Sequence, residues 1–170
     1  MATHRLSILG PATIPDASGE CYFEPYSIIA SNDQWRHLII RFGEAIAGQP
    51  AVDHGIYGLF QVPQNYVANA NLILLWTSTI ISGSVEWDFR YRAVANGESL
   101  DQTTQDEDLN TADAAPGTAH LMQEHTQALT SGNFAAGDLV EFFLTRDGTD
   151  AGDTMAGPAL LFDAYFQYTD

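Results

Sequence analysis

The stretch 83–95, GSVEWDFRYRAVA, constrains the fold of this chain more than any other segment. Val85, Trp87, Phe89 and Tyr91 occupy one parity, and Glu86, Asp88, Arg90 and Arg92 occupy the other. Successive side chains of a β-strand leave opposite faces of the sheet, so this period of two predicts a strand with one buried and one wet face. A helix would scatter the same residues around its circumference.

Further extended segments are expected at 5–9, 20–30, 35–42, 56–62, 71–79, 138–146 and 158–168, with Gly- and Pro-rich turns between them. Pro25 argues for an edge or a bulge in the second of these, because proline cannot donate to a ladder. The unbroken apolar run 72–76 (LILLW) reads as a strand covered on both faces, in the core or beneath a neighbouring subunit. Segment 120–130 places Leu121, Met122, His125 and Leu129 on one helical face, yet its all-β surroundings favour a strand. In the final segment Leu160, Phe162, Ala164, Phe166 and Tyr168 share a parity. Together these patterns predict an all-β jelly-roll β-sandwich of about eight strands, a single domain over 1–170. Its core is expected to include Val85, Trp87, Phe89, Tyr91, Val140, Phe142, Leu144, Phe162 and Phe166. Trp35, Trp76 and Trp87 all lie in apolar strands and read as core or interface residues. Residues 96–118 carry six acidic side chains, no base and little to bury, and are expected to form one long acidic loop. Residues 1–15 read as an N-terminal arm.

Charge narrows the partners. Acidic residues outnumber basic ones 22 to 6, the formal net charge is −16, and every basic residue is an arginine. Phosphate backbones are bound by basic surfaces, so no nucleic-acid partner is expected. The longest apolar run is too short to cross a bilayer, and the start MATHRLSILG lacks the pattern of a signal peptide, so neither membrane insertion nor classical secretion is expected. The single cysteine, Cys21, sits beside Tyr22 and Phe23 and reads as a buried, inert thiol in a protein assembled inside a cell.

Catalytic and metal-binding patterns are sparse. His4, His37, His54, His120 and His125 never form a metal-binding pair and read as structural. In the loop Arg146-Asp147-Gly148-Thr149-Asp150-Ala151-Gly152-Asp153-Thr154, the carboxylates of Asp147, Asp150 and Asp153 recur every third residue. They are weak calcium candidates, and aspartates capping their own turn are the plainer reading. No nucleophile elbow, phosphate-cradling glycine loop or CxxC pair is present. The residues therefore point to no cofactor and no catalytic site.

Several phrases carry a resemblance: SILGPATIPDASGECYFEPYSI, WRHLIIRFG, GLFQVPQNYV, LLWTSTIISGSVEWDFRYRAV, LTSGNFAAGDLVEFFLTRDGTDAGDT and LLFDAYFQY. The chain resembles β-sandwich virion proteins of tailed bacteriophages, the capsid decoration (cement) and related fibre-head proteins. That resemblance implies a non-enzymatic protein on the capsid exterior, assembled in the host cytoplasm. It further implies that the protein binds the major capsid protein, stabilises its lattice and forms a homotrimer. It carries over no individual functional residue. Three copies of so acidic a chain would need apolar or arginine-mediated contacts, which makes Arg90, Arg92, Asp106 and Asp108 interface candidates. Ordinary ion pairs within one sheet are the alternative for these residues. The alternative function is a receptor- or carbohydrate-binding module of a phage tail fibre or baseplate, which would display solvent-exposed aromatics in a groove. The enzyme alternative is a jelly-roll hydrolase or a metal-dependent cupin, for which tight metal retention with clustered histidines would speak.

Overall fold

The computed structural model describes residues 1–10, 13–15, 21–27, 36–43, 53–101 and 103–170. Two antiparallel sheets pack face to face. Sheet A contains β1 (Thr3–Ser7), β3 (Cys21–Ser27), β4 (Arg36–Phe42), β6 (Ala68–Thr77), β9 (Gln123–Ala128) and β11 (Ala159–Thr169). Their order is β3-β4-β11-β6-β9, with β1 pairing the C-terminal half of β11 while β4 pairs its start. Sheet B contains β2 (Ile14–Pro15), β5 (Asp53–Gln61), β7 (Ser84–Val94), β8 (Glu107–Ala114) and β10 (Leu139–Asp147), in the order β2-β5-β10-β7-β8. Among the described residues there is no α-helix, only a single 3-10 turn at Ser131–Asn133. This is the all-β sandwich that the alternating patterns predict.

The inner faces meet in an aromatic core. Trp87 contacts Trp76 across the sandwich edge-on at 5.8 Å and Phe42 at 5.2 Å, while Phe134 stacks on Tyr91 at 4.9 Å. Val85, Phe89, Val140, Phe142, Leu144 and Phe166 are buried with them, as their parity requires. β6 lies between β11 and β9 and buries Ile73 on its outer face as well as Leu72, Leu74 and Trp76 within, which accounts for the unbroken apolar run. β3 is an edge strand, where Pro25 costs no ladder bond. Segment 120–130 does contain a strand, β9. Cys21 is buried.

Four expectations need correction. Phe162 is not a core residue: a β-bulge between Leu161 and Asp163 inserts one extra residue opposite β6, and the parity flips there. Leu161, not Leu160, therefore joins Ala164 and Phe166 in the core, and Phe162 is only half buried, against His37. The acidic stretch 96–118 is a loop only in part, since β8 lies within it and pairs β7 from Ser84↔Ala114 to Tyr91↔Glu107. Of the acids on that strand Asp108 faces solvent, while Glu107 and Asp113 take the partly buried parity and accept the Tyr91 hydroxyl and the Trp76 indole N–H. Residues 1–15 are not a free arm, because β1 lies along β11 and β2 along β5 of the same chain. Finally, the polar face of β7 is not wet throughout, for Glu86 and Asp88 are both buried. Trp35 and most of the turn-rich passage expected around 43–55 lie outside the described residues, as do the ends of segment 20–30, while Asp53 to Gly55 already belong to β5.

Candidate functional site

What closes over Glu86 is the loop that follows β10. Arg146, fully buried at the end of that strand, forms a bidentate ion pair with Asp153 at 2.7 and 2.6 Å. It also donates to the carbonyl oxygens of Gly43, Met155 and Gly157, each at 2.6 Å. A buried guanidinium is tolerated when every donor finds an acceptor, and here it staples residues 147–157 against sheet B. The three calcium candidates are consequently engaged in separate tasks. Asp147 Oδ1 accepts the Thr149 N–H and hydroxyl, Asp150 Oδ1 accepts the Gly152 N–H, and both oxygens of Asp153 face Arg146. Among the described residues no three His, Cys, Asp or Glu side chains gather as a metal-binding set. Burial, and then the charges of Asp150, Asp153 and Asp147, push the Glu86 carboxyl above its usual range.

Beyond that loop the outer face of sheet B opens into a groove of about 590 Å³. The ladder registers place one residue from each strand in a single row across it. Ile14 of β2 stands opposite Tyr57 of β5, Tyr57 opposite Phe143 of β10, Phe143 opposite Arg90 of β7, and Arg90 opposite Asp108 of β8. A second row sets Leu59 opposite Glu141 and Glu141 opposite Arg92. The rows have an apolar half over β2 and β5 and a charged half over β7 and β8.

In the apolar half, Tyr57 and Phe143 stack with centroids 4.2 Å apart and planes inclined by 20°. Gly55 is what lets the Phe143 ring lie down across β5: a Cβ at that position would stand 2.5 Å from the ring. Tyr57 is 52% exposed, Leu59 50% and Ile14 63%, so this platform faces solvent. In the charged half, Arg90 Nη2 donates to Asp88 at 2.6 Å and Nε to Asp108 at 3.2 Å. Arg92 Nη2 donates to Glu141 and, at 2.7 Å, to the carbonyl of Leu100. That last bond holds Leu100 against the sheet, and Leu100, Thr103, Thr104 and Gln105 make one wall of the groove. Asp88 lies under Arg90; burial, together with the hydrogen-bonded Asp108 carboxylate and against the pull of Arg90, pushes its carboxyl up to about 6.

The interface candidates Arg90, Arg92 and Asp108 are thus brought together on one face, as pairs within a single sheet. Asp106 is apart from them and caps the end of β7, its Oδ2 accepting the Ala93 N–H at 2.8 Å. Tyr57, Leu59 and Phe143 were not singled out by the sequence reading. The signal for them exists: apolar residues occupy both parities of HGIYGLFQV, and the Phe142-Phe143 doublet must put one ring on each face of its strand. The histidines are dispersed, with His125 Nδ1 near Asp113 at 3.5 Å, His4 near Asp170 and His37 against Phe162.

A second crevice, about 530 Å³, lies where β11 passes from β4 to β1, lined by Leu9, Phe23, Leu38 and Phe162. Its Ser7 hydroxyl and Asp163 carboxylate bond each other at 2.7 Å, leaving a mainly apolar lining. The groove on sheet B, with a stacking platform beside an ordered array of donors and acceptors, is the better site for a polar ligand.

No family model matches the chain, and no curated protein matches it in sequence. Solved structures do share its fold. The CBM35 carbohydrate-binding module from Paenibacillus barcinonensis has a TM-score of 0.54 at 13% identity, each chain covered over 100% of its length. The K1 cleaved adhesin domain of Lys-gingipain from Porphyromonas gingivalis has a TM-score of 0.50 at 11% identity, again with 100% of both chains covered. The family 11 carbohydrate-binding module from Clostridium thermocellum, solved with a β-1,3-1,4-mixed-linked tetrasaccharide, has a TM-score of 0.50 at 4% identity, covering 96% of this chain and 94% of that one. None of these is a phage virion protein, and the expected kinship with capsid decoration proteins finds no support in them. At such identities the likeness shows architecture alone: the chain is a two-sheet β-sandwich with the jelly-roll fold of carbohydrate-binding modules.

Proposed function

We propose that the chain is a non-catalytic carbohydrate-binding module whose ligand lies in the groove on the outer face of sheet B. The observation that carries this reading is the exposed Tyr57 ring stacked on the half-buried Phe143, set directly beside the Arg90 and Arg92 ion pairs. A sugar ring has an apolar face of axial C–H groups and a rim of hydroxyls that both donate and accept. Aromatic planes cover the first, and charged side chains already held in place bond the second without being reordered. Large apolar side chains left bare on a sheet mark interaction surfaces. Solvent-exposed aromatics in a groove are also what the alternative reading of the sequence requires. The likeness to carbohydrate-binding modules supports this reading over capsid decoration, for which neither the groove nor the comparisons supply a partner.

The test is a glycan array followed by calorimetric titration of the best ligand against the wild type and Tyr57→Ala. The wild type should bind an oligosaccharide, and Tyr57→Ala should weaken it at least about tenfold with an unchanged melting temperature. Absence of glycan binding, or equal binding by the variant, would count against the proposal.

A further inference from the structure

The rows of the groove also bear on which glycans fit, an inference that rests on the carbohydrate reading above. Five strands at about 4.8 Å spacing make the row from Ile14 to Asp108 roughly 19 Å long, the span of several sugar units rather than one. Charge sets the second limit. Arg90 is held by Asp88 buried beneath it and by Asp108 at the rim, and Arg92 by Glu141 in the lining, so both guanidinium groups of the groove are already answered by carboxylates. Arg92 is only 11% exposed and its carboxylate partner 42%, so the acid is the more accessible member of that pair. The chain around them contributes a formal charge of −16 and no lysine. A polyanion would meet repulsion at long range and would have to displace an acid from its arginine at short range.

We infer that the groove takes an extended, uncharged oligosaccharide, its hydroxyls bonded by the paired Arg90, Arg92, Asp108 and Glu141, and that these carboxylates exclude uronated and sulfated glycans. The arginines here position acceptors and donors; they do not serve as anion receptors. Hydrogen bonding of this kind involves no counterion release and should be nearly independent of salt.

The probe is a titration panel of neutral glucan, xylan, mannan and galactan oligosaccharides of two to six units, together with a polyuronate and a sulfated galactan, each at low and high salt. The expected result is binding confined to neutral chains, tightening with length over the first few units and changing less than about twofold with salt. In Glu141→Gln, polyuronate binding should appear and should be salt-sensitive. Preference for an acidic glycan by the wild type, or a strong fall in affinity with salt, would overturn this inference while leaving the carbohydrate reading intact. Unchanged rejection of polyuronate by Glu141→Gln would overturn the excluding role of that carboxylate. Binding of no glycan at all would overturn the carbohydrate reading, and this inference with it.

Discussion

The two sheets of the sandwich dispose of their outward side chains differently. On sheet A, Arg5 reaches from β1 across the face, bonds Gln167 at 3.0 Å and makes a bidentate pair with Glu124 of β9 at 2.7 Å. Ser7 bonds Asp163, and Ile73 on the same face is buried. That face is latched by its own polar groups. On sheet B, the upper half is closed by the Arg146-anchored loop, but below it Tyr57, Leu59 and Ile14 remain bare beside partnered charges. Both sheets leave rings open, Tyr22 and Phe23 on β3 of sheet A and Tyr57 on β5 of sheet B, but on sheet B the open ring stacks on a second ring in a row with the arginine ion pairs, and that arrangement favours sheet B as the face that meets a ligand.

The sharpest way to break this contrast is to open what the protein has closed. Arg146→Ala should cost about 3–5 kcal/mol in a denaturant titration, because it strands the buried Asp153 carboxylate and releases three backbone acceptors. A loss below about 1 kcal/mol would mean that the loop is held by something else. Next in size is the double change Tyr57→Ala with Phe143→Ala, expected to reduce glycan affinity by more than about tenfold. The matching change on the other face, Arg5→Ala, should leave that affinity unaltered.

The pH dependence sharpens the same comparison. Asp88, under the open groove, has its carboxyl pushed up to about 6 from an ordinary 3.8, so the folded chain binds this proton more tightly than the unfolded one. Its contribution favours folding at low pH and is lost as the pH rises through about 6. Glu107, at the edge of the sandwich, is shifted the other way. Burial opposes the shift, but the Thr130 N–H and hydroxyl and the Tyr91 hydroxyl hold the carboxyl below its ordinary 4.5. Its contribution is present above that value and lost as the pH falls through the lower folded one. The melting temperature should therefore peak at about pH 4, where the Glu107 gain is nearly complete, and decline from there to about pH 6 as the Asp88 contribution is lost. Asp88→Asn should flatten the decline on the neutral side and leave the acidic side unchanged. A profile that rises steadily from pH 5 to 8 would contradict these assignments. The smallest effect belongs to the Arg5 latch. Its pair with Glu124 is more than a third exposed, and Arg5→Ala should destabilise the protein by no more than about 1 kcal/mol.

The features that could be read before the fold was known are those carried by local alternation. The facing of β7 and the burial of Trp87, Phe89 and Tyr91 follow from residue parity, and the double-sided burial of β6 from its unbroken apolar run. Arg90 and Arg92 also stood out, because two arginines on one polar face in so acidic a chain are conspicuous. What parity could not supply is anything dependent on a second strand. The bulge that turns Phe162 outward is a mismatch between β11 and β6, and neither sequence contains it alone. The burial of Glu86 comes from a loop whose Asp153 is 67 residues further along the chain, and Asp88 is covered by the Arg90 side chain, which Asp108 of β8 holds in place. The stacking platform needs the register between β5 and β10, and only that pairing sets Tyr57 beside Phe143 with Gly55 making room.

The central claim is that the ligand sits on the open face of sheet B, and mapping a bound glycan by amide chemical-shift perturbation tests it most directly. Titrating a labelled chain with a neutral oligosaccharide should shift Tyr57, Leu59, Arg92, Glu141 and Phe143 together, with the Arg5–Glu124 face silent. Perturbations gathered instead around Leu9, Phe23, Leu38 and Phe162 would place the site in the crevice of sheet A and contradict the account.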